Sequence, residues 1–122
     1  FYKLIYLPIF IYIMLDIVRR LIKREDYRII DAIRKGAILI DVRTSKEFAG
    51  NGLGETVNIP LDDLFQEMNH LEKNVPVVVF CRSGNRSRLP RFMLLENGFV
   101  QVEDARNVEQ MKQLLNKAKE NG

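Results

Sequence analysis

The residues best suited to chemistry in this 122-residue chain gather around its single cysteine. Cys81 is followed by Arg82, Ser83, Gly84, Asn85, Arg86 and Ser87. A sulfur at this point faces a turn of backbone N–H groups, two arginines and the positive end of any helix that follows. Each of these favours thiolate over thiol, which turns a cysteine into a nucleophile. Gly84 gives the loop access to positive φ and keeps side chains out of the cradle. A buried structural cysteine is the plainer alternative, but it needs neither paired arginines nor a glycine-containing loop. Ser83 and Ser87 have no base within reach in the sequence and read as loop hydrogen-bonding residues, with Ser87 a candidate helix cap.

The elements that must hold this loop follow from periodicity. Val77 to Phe80 is a short apolar, β-branched run bounded by Pro76 and the polar loop, the pattern of a buried strand. Leu89 to Glu96 is helix-like, with Pro90 in its first turn, where the missing N–H costs little. Cys81 is thus expected at the C-terminal end of a strand, on a loop entering a helix, where open α/β sheets bind ligands. Ala37–Val42 reads as a second buried strand, Thr56–Ile59 as a third and Phe99–Val102 as a fourth. Helices are expected over Glu25–Lys35, stopped by Gly36, and from Thr44, with Glu47 completing a capping box. Further helices are expected over Leu61–Leu71 and Val108–Lys119, with Asn97-Gly98 ending the one before the fourth strand. Buried strands alternating with helices imply an α/β fold with a parallel sheet.

Three motifs carry a family resemblance. Cys81-Arg82-Ser83-Gly84-Asn85-Arg86-Ser87 resembles the active-site loop of the rhodanese (sulfurtransferase) family. Upstream stand Leu39-Ile40-Asp41-Val42-Arg43, followed by Glu47-Phe48, and then Val57-Asn58-Ile59-Pro60-Leu61. They occur in the family's order, and the resemblance covers roughly residues 25–115. It implies a rhodanese-like three-layer α/β fold: a central, mainly parallel sheet of four or five strands, helices on both faces, and here an extra N-terminal hydrophobic helix. Cys81 is expected at the mouth of a shallow pocket. The implied reaction moves a sulfane sulfur, from a donor such as thiosulfate or a persulfide, to an external thiol or carrier-protein acceptor through a persulfide on Cys81. No cofactor and no metal are implied. Residues 82–87 would bind the donor, with Arg82 or Arg86 holding the anion. Asp41 and Arg43 would support the loop as an ion pair. With one cysteine, no second thiol of the chain can discharge the persulfide. Two departures are visible. Gly52-Leu53-Gly54-Glu55-Thr56 replaces the family's His-Ile-x-Gly-Ala segment, and Asp104-Ala105-Arg106-Asn107 stands where a Gly-Gly pair is common.

Composition narrows the alternatives. One cysteine excludes an intramolecular disulfide framework and a cysteine-based metal cluster. The net charge of +3 divides unevenly: residues 1–24 hold five Lys/Arg and one Asp, whereas residues 25–122 hold fourteen Lys/Arg and fifteen Asp/Glu. The basic excess therefore belongs to the N-terminal segment and not to the domain, which argues against a nucleic-acid partner. The lone histidine, His70, is expected on an exposed helix surface. A cysteine phosphatase would use a similar cradle, but Cys81 to Arg86 is one residue shorter than the phosphatase loop, and Phe80 precedes the cysteine in place of the usual His. A non-catalytic scaffolding module is the other competing class.

The N-terminal stretch is different in kind. Leu4 to Leu15 carries no charge, and Arg19, Arg20, Lys23 and Arg24 follow. Residues 1–23 are read as a hydrophobic segment and candidate membrane anchor, and residues 24–122 as the domain. The basic flank places the domain on the cytoplasmic side of a membrane. A soluble cytoplasmic or a periplasmic location is the alternative, as is a helix packed on the domain or on a partner.

Overall fold

The structure, a computed structural model, describes residues 2–83 and 87–120, with side chains from residue 6 onward. The elements in order are α1 (Tyr2–Arg34), β1 (Ile38–Asp41), α2 (Ser45–Asn51), β2 (Val57–Asn58), α3 (Leu61–Glu67), β3 (Val77–Cys81), α4 (Arg88–Glu96), β4 (Val102–Asn107) and α5 (Val108–Glu120). The four strands form one sheet in the order β2-β1-β3-β4, and every neighbouring pair is parallel. This is the α/β architecture expected from the sequence.

The five residues of β3 are all buried, because each face of the sheet is covered. Strand alternation sends Val77, Val79 and Cys81 into one core with Ile40, Leu64, Met68 and Leu94, beneath α3 and α4. Val78 and Phe80 point into the opposite core with Ile29, Ala32, Met111 and Leu114, beneath α1 and α5. Each fully buried aliphatic side chain contributes about 1.5–3 kcal/mol, so the two cores hold β3, and the cysteine at its end, from both sides.

Helix ends are set by local chemistry. Thr44 caps α2 with a full capping box: its Oγ1 accepts from Glu47 N–H, and the Glu47 carboxylate accepts from Thr44 N–H. Both α1 and α4 end in the same left-handed glycine motif. Gly36 (φ 88°) donates to the Ile33 carbonyl and Ala37 to Ala32, while Gly98 (φ 91°) donates to Leu95 and Phe99 to Leu94.

Four expectations change. The helix expected to begin at Glu25 is the last part of α1, which runs unbroken through residues 23 and 24. Within it, Ile29 and Ala32 are buried, and Arg34 donates to the Ala118 and Lys117 carbonyls at the end of α5. The Leu61–Leu71 helix stops being α-helical at Glu67 and finishes as one tight 3₁₀ turn over Met68–His70. The fourth strand begins at Val102, not Phe99. After the Gly98 turn Phe99 drops into the α3/α4 core, and the exposed Val100 donates to the Lys73 carbonyl instead of a strand. Asp104–Asn107, outside every element expected from the sequence, completes that strand.

The first half of α1 stands clear of the domain. Its large apolar side chains from Tyr6 to Ile22 are all exposed, with Tyr12 at 70%. Among the described residues no helix is long and apolar enough to cross a membrane.

Candidate functional site

Cys81 is the last residue of β3, two strand positions beyond Val79 on the same face. Its side chain is fully buried, which corrects the expectation of a thiol at a pocket mouth. The reason is the alternation just described, together with two groups that close over the sulfur. The Cys81 thiol donates to the Arg106 carbonyl at 3.3 Å and lies 3.6 Å from Ser87 Oγ, its second acceptor.

Ser87 occupies the N-cap position of α4 but does not cap it with its hydroxyl. It is buried and faces the sulfur instead. Between these two residues the chain carries Arg82 and Ser83, both exposed. Gly84, Asn85 and Arg86 lie outside the described residues. Arg82 and Ser83 open onto different spaces. Ser83 borders a cavity of about 560 Å³ shared with Arg28, Arg88, Arg91 and Arg106. Arg82 borders one of about 510 Å³ with Arg43, Glu47, Asn51 and Glu109.

Beside the cysteine, β1 ends in the ion pair anticipated for Asp41 and Arg43. The guanidinium forks onto the carboxylate, Nη2 to Oδ2 at 2.8 Å and Nε to Oδ1 at 3.0 Å. The Arg43 backbone N–H also donates to Oδ1, and its Nη1 donates to Asn51 Oδ1 at 2.7 Å. The hydrogen bond to Asp41 raises the Arg43 pKa beyond its already high ordinary value, against the opposing effect of burial. The guanidinium therefore remains charged. Asn58, on β2, donates to the Asp41 and Arg43 carbonyls and ties the two strand ends together. His70 ends the 3₁₀ turn, exposed, as expected.

Sequence reasoning missed Arg106. Its φ is 71°, the sole positive value at a residue other than glycine among those described. Left-handed backbone costs an L-residue roughly 1–2 kcal/mol. The departure from a Gly-Gly pair was visible in the sequence, but nothing there indicated that an arginine keeps the glycine conformation. Asn107 was missed as well: its Oδ1 accepts from Gln110 N–H and caps α5.

A buried cysteine thus ends a central parallel strand beside a buried Asp–Arg pair. The family description "Rhodanese-like domain" matches residues 15–110. The chain belongs to the rhodanese family. The uncharacterized protein YqhL of Bacillus subtilis is 31% identical over 91 residues, covering 75% of this chain and 70% of that one. A sulfurtransferase of Allochromatium vinosum is 30% identical over 69 residues, 57% of this chain and 64% of its own length. The chain spans only 20% and 21% of the adenylyltransferase and sulfurtransferase proteins of Candida albicans and Oryza sativa that it matches. Among solved structures, an Escherichia coli rhodanese determined with anions superposes with a TM-score of 0.57 at 27% identity, covering 62% of this chain and 91% of the other. Sulfurtransferases are thus among the family members this chain resembles.

Proposed function

We propose that this rhodanese moves a sulfane sulfur from a small anionic donor such as thiosulfate, or a persulfide, to an external thiol or carrier protein. Cys81 carries the sulfur between them. The observation that supports this reading is the position of Cys81, at the end of the central strand and at the start of an arginine-bearing loop that enters α4. The Cys81 thiolate, its proton released to solvent, attacks the outer sulfur of the donor. A Cys81–sulfur bond forms as the donor's sulfur–sulfur bond breaks, and sulfite from thiosulfate, or the thiolate of a persulfide donor, leaves with the electron pair. An acceptor nucleophile then takes the outer sulfur and returns the thiolate.

Backbone N–H groups of residues 82–86 stabilise the persulfide, and Arg82 or Arg86 holds the anion. Arg82 has no carboxylate partner among the described residues, so it can meet a donor without breaking an ion pair. Ser83, Gly84, Asn85 and Ser87 complete the loop, and Asp41 with Arg43 supports it from β1. The decisive experiment is intact mass after exposure to thiosulfate. One added sulfur, removed by reductant, is expected; no adduct on a folded, reduced protein would end the reading.

We further propose that residues 1–23 hold the domain, residues 24–122, at a membrane on the cytoplasmic side. The support is the exposed apolar surface of α1 from Tyr6 to Val18, followed by Arg19, Arg20, Lys23 and Arg24.

A further inference from the structure

Arg106 holds a costly conformation at a place where three contacts meet. Strands β3 and β4 pair Val79 with Asp104 but Phe80 with Arg106, so Ala105 is the extra residue of a β-bulge. The bulge and the φ of 71° turn the Arg106 carbonyl onto the Cys81 sulfur, at 3.3 Å. Asp104 Oδ1 accepts the Arg106 N–H at 2.8 Å and secures the turn. The Arg106 guanidinium reaches across to Glu25 on α1, Nη2 to Oε2 at 2.9 Å. Backbone strain that survives only because its surroundings enforce it is a pointer to function.

We propose that Arg106 is a positioning residue for the sulfur of Cys81, with its backbone set by Asp104 and its side chain tethered to α1 by Glu25. A carbonyl oxygen accepts a hydrogen bond and donates none. It therefore holds the thiol in place and opposes the thiolate, restraining the sulfur at rest. The N-terminal helix becomes part of the sulfur site through one ion pair. The inference rests on Cys81 being the reactive sulfur, but on no particular donor.

The test is the rate at which iodoacetamide alkylates Cys81 in the folded full-length chain at fixed neutral pH, with melting followed by circular dichroism. Arg106→Ala keeps the strain of an L-residue at φ 71° but loses the tether to Glu25, so the carbonyl is free to swing away. It should be alkylated about fivefold faster, the effect of losing one ordinary hydrogen bond to the thiol. Glycine takes the same φ freely, so Arg106→Gly should stay within about twofold of the wild type. Asp104→Ala, which frees the turn by a separate route, should accelerate like Arg106→Ala and carries the test if that variant does not fold. Glu25→Ala should give a rise between these limits, and a wild-type rate there would remove α1 from the proposal. Wild-type rates in both alanine variants at positions 104 and 106, or an Arg106→Gly variant as fast as Arg106→Ala, would overturn it. Alkylation needs no sulfur donor. Variants that behave as expected in a protein forming no thiosulfate adduct would keep Arg106 in its role while the sulfur-transfer reading fails.

Discussion

Asp41 and Arg43, two residues apart at the end of β1, share a forked ion pair whose side chains are 0% and 4% exposed. Removing one partner leaves the other charged and buried. Arg43→Ala is expected to lower unfolding stability by about 3–5 kcal/mol, measured by chemical denaturation. Arg43→Lys keeps the charge but loses the fork and the bond to Asn51, and should fall between the two. Equal stability of Arg43→Ala and wild type would show that the pair contributes nothing to the fold.

Replacing the sulfur separates chemistry from folding. Cys81→Ser should fold, since serine is close in volume and can still meet the Ser87 hydroxyl and the Arg106 carbonyl. Thiocyanate formation from thiosulfate and cyanide should vanish in it. Turnover that persists would assign the chemistry to another group.

The loop arginines should act on donor binding rather than on the fold. Arg82 is exposed, so Arg82→Ala should leave the melting temperature within a few degrees. Loss of one charge-assisted hydrogen bond of about 1.5–3 kcal/mol would raise the thiosulfate KM roughly ten- to hundredfold. The same titration on Arg86→Ala tells which arginine holds the donor. Unchanged KM in both variants would remove the anion clamp from the mechanism.

The glycine that ends α1 offers a local test of the fold. Gly36 has φ 88° with open space where a Cβ would stand, so the cost of Gly36→Ala is conformational alone. A loss of roughly 1–2 kcal/mol is expected, with activity per folded molecule unchanged. An alanine variant as stable as the wild type would mean that the helix end rearranges at no cost.

Membrane attachment is tested by fractionating cells that express the full chain or a variant lacking residues 1–22. The full chain is expected with the membranes and the shortened chain outside them, with protease reaching the domain from the cytoplasmic side only. A full chain that remains soluble and monomeric without detergent would instead make α1 a helix that packs on protein.

Much of this molecule follows from its sequence because the determining physics is local. The β-branched run Val77–Phe80, the capping box of Thr44 and Glu47, and the glycines at 36 and 98 specify their elements through periods and turns that need only a few neighbouring residues. Cys81, with Arg82 and Arg86 close behind it, could be singled out for the same reason, and the motifs around Asp41 and Asn58 lie on strands whose pattern is plain. What only the tertiary structure decided depends on which residues meet across the sheet. Phe99 looks like strand and fills a core; Asp104–Asn107 looks like loop and is strand. The sulfur is buried because strand register, the Ala105 bulge and the Arg106 backbone bring a carbonyl onto it from 25 residues away. The Glu25–Arg106 pair joins positions 81 residues apart. Such contacts leave no trace in local spacing, because the chain folded between them, not the sequence beside them, sets the distance.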